Sequence, residues 1–474
     1  MKLRVGDIVA ATRGERIGGS DDVIVDGLTN DSRSLRAGEC FVAIVDRRDG
    51  HEFVDSAFAA GASAAIVERA IGGDAERPIV VVDNVMTAMA KLAHWVRVDR
   101  LRSARVVGVT GSTGKTSTKD LLASALTKRW ITHANAASFN NEIGLPVTIV
   151  GAPGDVEFVI CEMGARFAGN IRDLCAIAMP DTGIITNIGS AHAQHLGGVD
   201  GVLATKSELL AALPSDGLAV LPADDPNVER LAGVTSARVL RAGASESADV
   251  VVQVERVDME LRAVVQLSSP WGSARGRLGL RGRHQALNAA LAAAVALESG
   301  IGPDEVMHGL ETAVGSAWRM DLARTVDGIM VLNDSYNANP QSMAAAIRAL
   351  GELDAPDSSV RRPNAARLRR IAVLGAMREL GAASIAEHEA VAPLLAAANV
   401  DELVVVGDDD EAVALTAAAE RASVPVRRVH DAEAAIDALR ALRVGEGDVV
   451  LVKASRAVGL EAVARSLSVP GGRA

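Results

Sequence analysis

An apolar run, Arg105–Val109, leads directly into Thr110-Gly111-Ser112-Thr113-Gly114-Lys115-Thr116 and then into a helical stretch near Ser117–Arg129. Strand, glycine-rich turn, Gly-Lys-Thr and helix together make a phosphate-binding loop, which commits this part of the chain to an α/β sheet. Glycines let backbone N–H groups converge on phosphate oxygens, and the N-terminus of the following helix adds partial positive charge. On this reading the segment from Thr110 to Ser117 grips ATP. Lys115 neutralises the β- and γ-phosphates, and the Thr116 hydroxyl is a ligand for Mg²⁺. One spacing departs from the common form. Glycine is expected six residues before the lysine, where this chain has Val109, with glycines instead at Gly108 and Gly111. The motif points to a nucleotide and leaves the reaction open.

The remainder of the 474-residue chain divides into three regions. Residues 1–103 carry strand-like runs at Cys40–Val45, Ala64–Val67 and Ile79–Val82, with helical stretches around Phe53–Ala60 and Thr87–Val98. Residues 104–321 hold the phosphate loop and further buried-strand candidates at Phe158–Cys161 and Thr182–Thr186. In the same region β-rich pieces at Val250–Val257 and Ala263–Leu267 read as an inserted or edge sheet. An alanine-rich helix follows, from about His284 to Ser299. Residues 322–474 alternate again, with strands at Ile329–Leu332, Ile371–Leu374, Leu403–Val406 and Val449–Val452. Helices are expected at Ser342–Leu350, Ile385–Ala398 and Ala432–Leu442, and the polar segment Asp354–Arg370 reads as a surface loop. Alternation throughout predicts an α/β fold in each region, with a mostly parallel central sheet.

The formal charge of −11 gives no footprint for nucleic-acid binding. Apolar stretches such as Ala286–Leu297 are too short to span a bilayer, and Met1–Asp7 has no apolar run of the signal-peptide kind. Cys40, Cys161 and Cys175 are too widely spaced for a metal pair, and the last two lie in apolar segments as small core residues. The expectation is a cytoplasmic protein without membrane insertion. The chain has seven lysines against 42 arginines, so a retained lysine is weighted towards positions that need an amine. That weighting falls on Lys115, Lys206 and Lys453.

Glu162 follows the strand Phe158–Cys161, at the sheet edge where α/β proteins present ligands, and a carboxylate there can hold Mg²⁺. His192 follows another strand end, and Lys206 sits on a helix; taken singly, each is an ordinary surface residue. Asn140-Asn141 can either grip an anionic substrate or build a turn.

These residues carry a family resemblance. The loop at Thr110–Thr116, Thr186-Asn187-Ile188 with His192, and then Lys206 resemble the Mur ligases and folylpolyglutamate synthetases, whose loop also has the shifted glycine. More specific are Asn333-Asp334-Ser335-Tyr336-Asn337-Ala338-Asn339-Pro340 and Val373-Leu374-Gly375-Ala376-Met377-Arg378-Glu379-Leu380-Gly381. With them go Thr29-Asn30-Asp31-Ser32-Arg33, Arg48-Asp49-Gly50-His51 and Lys453-Ala454-Ser455-Arg456. The likeness runs through all three regions, in the order found in the Mur ligase branch that adds a D-alanyl-D-alanine dipeptide.

The resemblance implies an N-terminal domain for the UDP moiety, a central ATPase domain and a C-terminal Rossmann-like domain. It implies that ATP phosphorylates the terminal carboxylate of a UDP-N-acetylmuramoyl-tripeptide. The amine of D-alanyl-D-alanine then displaces phosphate, giving the pentapeptide precursor of peptidoglycan. By matching position, Lys115 and Thr116 serve the phosphates and metal, while Glu162 and His192 are metal ligands. Lys206 matches a lysine that is carbamylated in several members, where it supports a second Mg²⁺. His284 and Asn288 are implied to contact adenine, and Arg319 and Asp334 to face phosphate and ribose. Asn337 and Asn339 lie near the nucleotide, and Ser32, Arg33, His51, Asn140 and Asn141 are assigned to the UDP-linked substrate. No organic redox cofactor is implied, and a monomer is expected. Departures stand at Ala376 for the usual Asp, Ala454 for Gly and Gln285 for Asn. The rivals are another ligase of the superfamily, such as the one adding the third residue, and a non-ligating nucleotide-binding relative. The former usually carries an Asp-Asn-Pro-Arg motif absent here, and the latter should have lost metal or lysine positions.

Overall fold

The computed structural model describes residues 1–71, 75–135, 138–189, 193–353 and 367–468. His192 and most of the polar segment read as a surface loop, residues 354–366, lie outside the described residues.

Three sheets organise the chain. In the central one nine strands run in the order Gly272–Arg281, Arg262–Ser269, Val250–Val257, Arg238–Gly243, Leu218–Pro222, Thr182–Ile185, Arg105–Thr110, Phe158–Glu162, Thr132–Ala134. The last seven are joined by parallel pairing and the first two are added antiparallel. The β-rich pieces after residue 250 therefore extend the main sheet as its edge. The central strands are apolar on both faces, as a parallel sheet covered on both sides requires. Helices Lys115–Leu126 and Gln285–Glu298 cover one face through Leu122, Leu126, Leu291 and Val295. The other face shares one core with the N-terminal region, where Met89 and Leu92 of helix Val85–Trp95 join Leu145 and Ile149.

The N-terminal sheet runs Glu15–Ile17, Ile79–Val81, Ala64–Val67, Cys40–Val42, Leu28–Thr29, parallel except for the first pair. The C-terminal sheet runs Asp321–Arg324, Met330–Asn333, Asp448–Lys453, Arg369–Gly375, Glu402–Val406, Val426–Val429, again with one antiparallel edge. All three cysteines are buried and unpaired. Among the described residues, no helix is long and apolar enough to cross a membrane.

Two expectations need adjusting. The single helix at Ile385–Ala398 is two, Ser384–Glu389 and Val391–Ala397. Pro393 lacks an N–H and is accommodated in the first turn of a helix, so a new one starts just before it. Strands at Thr132–Ala134, Leu218–Pro222, Arg238–Gly243 and Gly272–Arg281 are additional, and in the last two arginines and glycines hide the apolar alternation.

Candidate active site

The loop after strand Arg105–Thr110 has the geometry the sequence requires. Gly111 and Gly114 adopt φ values of 144° and 80°. A Cβ at Gly111 would lie 2.0 Å from the Thr186 hydroxyl, and one at Gly114 2.4 Å from Asn288 Oδ1. Either substitution adds left-handed strain to a clash, so both positions must be glycine. Val109, the residue out of pattern, is a fully buried strand residue whose carbonyl accepts from Met163 N at 2.8 Å. The strand thus runs on to Thr110, and the first loop glycine, Gly111, stands two residues later than in the common form.

The segment Thr186–Gly189 braces this loop. Asn187 accepts from Thr113 N at 3.0 Å and donates to Thr113 Oγ1 at 2.6 Å. The Thr186 hydroxyl donates to the Thr113 carbonyl, and Ser112 Oγ accepts from Gly189 N at 2.8 Å. Asp225 holds the segment from behind, accepting from Ile188 N at 2.7 Å. Thr110 Oγ1 donates to Met163 O at 2.7 Å, and Ser117 is buried in the first helical turn. The Lys115 ammonium donates to Gly111 O at 2.7 Å. Burial lowers its pKa; the Glu162 carboxylate opposes that shift, and Arg319 adds to it.

Thr116 Oγ1 donates to Glu162 Oε2 at 2.8 Å, and Asn140 Nδ2 donates to Glu162 Oε1 at 2.8 Å. Asn140 thus orients the carboxylate, while Asn141 builds the turn, accepting from Ile143 N and Gly144 N. A hydroxyl beside a buried carboxylate is a hard-oxygen donor pair suited to Mg²⁺. Among the described residues, no three His, Cys, Asp or Glu side chains converge on one point.

Lys206, on helix Val199–Ala211, is fully buried, and its Nζ has no hydrogen-bond partner among the described residues. Burial, with help from the Lys115 charge and against Glu208, brings its pKa down to about 7.

The opposite wall comes from the C-terminal region. Arg319 Nη2 donates to Ser138 Oγ at 3.3 Å, and its guanidinium lies 4.1 Å from the Tyr336 ring centre. Asp334 is held by Lys453, whose Nζ is 2.6 Å from Oδ2 and also donates to Asn337 O at 2.8 Å. Lys453 is thereby a buried structural amine, and the Asn337 side chain is exposed. Asn339 caps helix Pro340–Glu352, accepting from Ser342 N at 2.9 Å. Asn288 is fixed by Gln285 at 2.8 Å, and Gln285 meets His284 at 3.0 Å, so the departure at Gln285 orders the helix start. Burial lowers the pKa of His284, against the pull of Asp334.

Between the walls lies a cleft of about 1070 Å³, reached by Lys115, Glu162, Asn288, Arg319, Asp334 and Asn337 among others. Asp225 and Ser138 also line it, and sequence reasoning did not select them. Ser32, Arg33 and His51 do not line it. Arg33 is exposed and pairs with Asp31 at 2.8 Å, holding that carboxyl at a pKa of about 2. Ser32 is half-buried beside it. His51 is buried between Asp49, 2.6 Å from Nδ1, and Glu68 N, which donates to Nε2 at 2.9 Å. Both ring nitrogens are therefore engaged within the N-terminal region.

Comparison with known proteins follows the same division. Residues 109–296 match the Mur ligase middle domain, and residues 318–456 match the Mur ligase, glutamate ligase domain. The chain is 39% identical to the UDP-N-acetylmuramoyl-tripeptide–D-alanyl-D-alanine ligase of Mycobacterium tuberculosis, covering 92% of this chain and 91% of that one. A crystal structure of MurF from Acinetobacter baumannii superposes with a TM-score of 0.83 at 29% identity, covering 99% of each chain. The MurF ligase of Thermotoga maritima in complex with ADP gives a TM-score of 0.76 at 30% identity, covering 94% of this chain and 97% of that one.

Proposed function

This chain belongs to the Mur ligase family, and from that premise we infer its reaction. It is an ATP-dependent ligase that joins D-alanyl-D-alanine to UDP-N-acetylmuramoyl-tripeptide, giving the pentapeptide precursor of peptidoglycan. The observation that carries the reading is the cleft itself. A complete phosphate loop on one wall faces Arg319 and the Asp334–Lys453 pair on the other, in a chain aligned with such ligases over nearly its whole length.

A carboxylate is a poor acylating agent at neutral pH, so it must be given a leaving group. Its oxygen attacks the γ-phosphorus, ADP departs, and an acyl phosphate remains. The neutral amine of the dipeptide attacks the acyl carbon. Phosphate leaves with the former carboxylate oxygen, and the amine loses a proton. Lys115 moves from Gly111 O to the phosphates, and Arg319 offsets charge on the transferred group. Thr116 and Glu162, with His192, are the residues that would hold Mg²⁺, which when bound neutralises phosphate charge. Support for a carbamylated Lys206 comes from its burial, unpartnered amine and pKa of about 7. A neutral amine can add carbon dioxide and lose one proton, becoming an anion able to support a second ion.

We assign His284 and Asn288 to the adenine side, and Ser32, Arg33 and His51 to the UDP side. The division at residues 103 and 321 is retained. One chain supplies both walls of the cleft, so a monomer suffices, and dependence on ATP suits the cytoplasm.

Phosphate release with defined acceptors tests the assignment. D-alanyl-D-alanine with the UDP-linked tripeptide should release phosphate at least about tenfold faster than glutamate or diaminopimelate. That margin, about tenfold, is the least that a single mismatched methylene costs, and unpaired polar groups cost more. The reverse preference would favour another ligase of the superfamily.

A further inference from the structure

Behind the phosphate loop lies a buried polar cluster that the reaction above does not use. Lys119, one turn beyond Lys115, is 3% exposed. Its Nζ donates to Asn135 O at 2.8 Å and pairs with Asp120 Oδ1 at 2.8 Å. The other Asp120 oxygen accepts from Ser316 N at 3.0 Å and from Ser316 Oγ at 2.8 Å. On the far side, Asn135 Oδ1 accepts from Glu162 N at 3.0 Å. One ion pair thus links the phosphate-loop helix to the strand end bearing Glu162 and to the connection between the central and C-terminal sheets.

Arg319 lies three residues beyond Ser316, and at the cleft its Nη2 donates to Ser138 Oγ at 3.3 Å. Within that connection Trp318 and Met320 hold φ values of 63° and 54°. Non-glycine residues stay in that conformation only where the surroundings over-determine it. A buried ion pair is seldom a net source of stability, but it fixes geometry firmly. Lys119 presents its donors from one compact atom, which the planar fork of arginine cannot reproduce. In a chain with seven lysines against 42 arginines, that requirement accounts for an amine here.

We propose that the Lys119–Asp120 pair is a positioning unit for the ligation, keeping the Glu162 carboxylate and the Arg319 guanidinium in register around the nucleotide phosphates. The proposal rests on the reading of Glu162 as a ligand of the nucleotide's Mg²⁺. Residues that orient metal ligands typically change affinity or activity by about 10- to 100-fold when altered.

The test is calorimetric titration of ADP into the full-length protein, with and without Mg²⁺, for wild type, Lys119→Met and Asp120→Asn. Steady-state kinetics accompany it. In Lys119→Met the tightening of ADP binding by Mg²⁺ should shrink roughly tenfold, with Mg²⁺-free affinity retained. The kcat should fall by about 10- to 100-fold while KM for the dipeptide stays within about twofold. Asp120→Asn keeps an acceptor for Ser316 and should show the same split in smaller measure, which serves if Lys119→Met does not fold. An unchanged Mg²⁺ effect in a folded variant overturns the positioning role. A wild-type protein whose ADP binding ignores Mg²⁺ overturns the metal reading, and this proposal with it.

Discussion

Lys115→Met is expected to lower the ligation rate by about 10³-fold, at the upper end of what removing one preorganised charge-stabilising donor costs. Two anions, the γ-phosphate and the substrate carboxylate, must approach within bonding distance, and Lys115 is the cation that the loop itself supplies. Its ammonium donates to Gly111 O, a charged hydrogen bond worth about 1.5–3 kcal/mol, and removing the buried charge recovers part of that through its desolvation cost. The fold should therefore survive, and thermal unfolding should differ little from wild type. The informative comparison is ADP binding against turnover. Affinity should fall modestly and kcat steeply, because the charge to be neutralised grows as the phosphoryl group transfers. A variant that turns over normally would remove Lys115 from the chemistry.

Lys206→Ala is expected to be nearly as severe, at about 10²- to 10³-fold, but partly reversible. A small carboxylic acid added to this variant should recover part of the activity by standing in for the carbamate. The pH dependence gives a second check. The folded pKa is about 7, against an ordinary 10.5. About half of the amine is therefore neutral at pH 7, and carbamate formation should rise through that pH. Between about pH 7 and 10.5 the unfolded chain binds the extra proton, so this group makes stability rise with pH across that window. Carbon-13 NMR under labelled carbon dioxide reads the carbamate directly. A wild-type protein with no such signal and an Ala variant of full activity would leave Lys206 an ordinary buried amine.

The sequence revealed the catalytic half of this molecule well because phosphate chemistry leaves little freedom. Gly111 and Gly114 cannot carry a side chain, Lys115 and Thr116 must follow them, and strand and helix must flank them. Parallel strands such as Phe158–Glu162 were legible for the same reason, being apolar on both faces. The outermost strand of that sheet was not. Gly272–Arg281 turns arginines outward and pairs on the sheet's exposed margin, which erases the apolar signal. Roles that depend on contacts across long separations were also hidden. No spacing reveals that Asn140 aims Glu162, that Asp225 braces Ile188, or that Lys453 is spent on Asp334. The same holds for Lys119, whose Nζ reaches Asn135 O while its ion-pair partner Asp120 is held by Ser316. The lysine-to-arginine imbalance is the one sequence signal bearing on such buried amines, and it bears on Lys119 as much as on Lys453.

If the cleft converts a carboxylate into an acyl phosphate before the amine arrives, oxygen labelling will follow the carboxylate oxygen into phosphate. The UDP-linked tripeptide is prepared with both oxygens of its terminal carboxylate as ¹⁸O and converted with ATP and D-alanyl-D-alanine. Released phosphate is then examined by mass spectrometry. An acyl-phosphate route places one label in each phosphate and leaves the other in the new amide carbonyl. Unlabelled phosphate formed alongside the pentapeptide product would exclude an acyl-phosphate route.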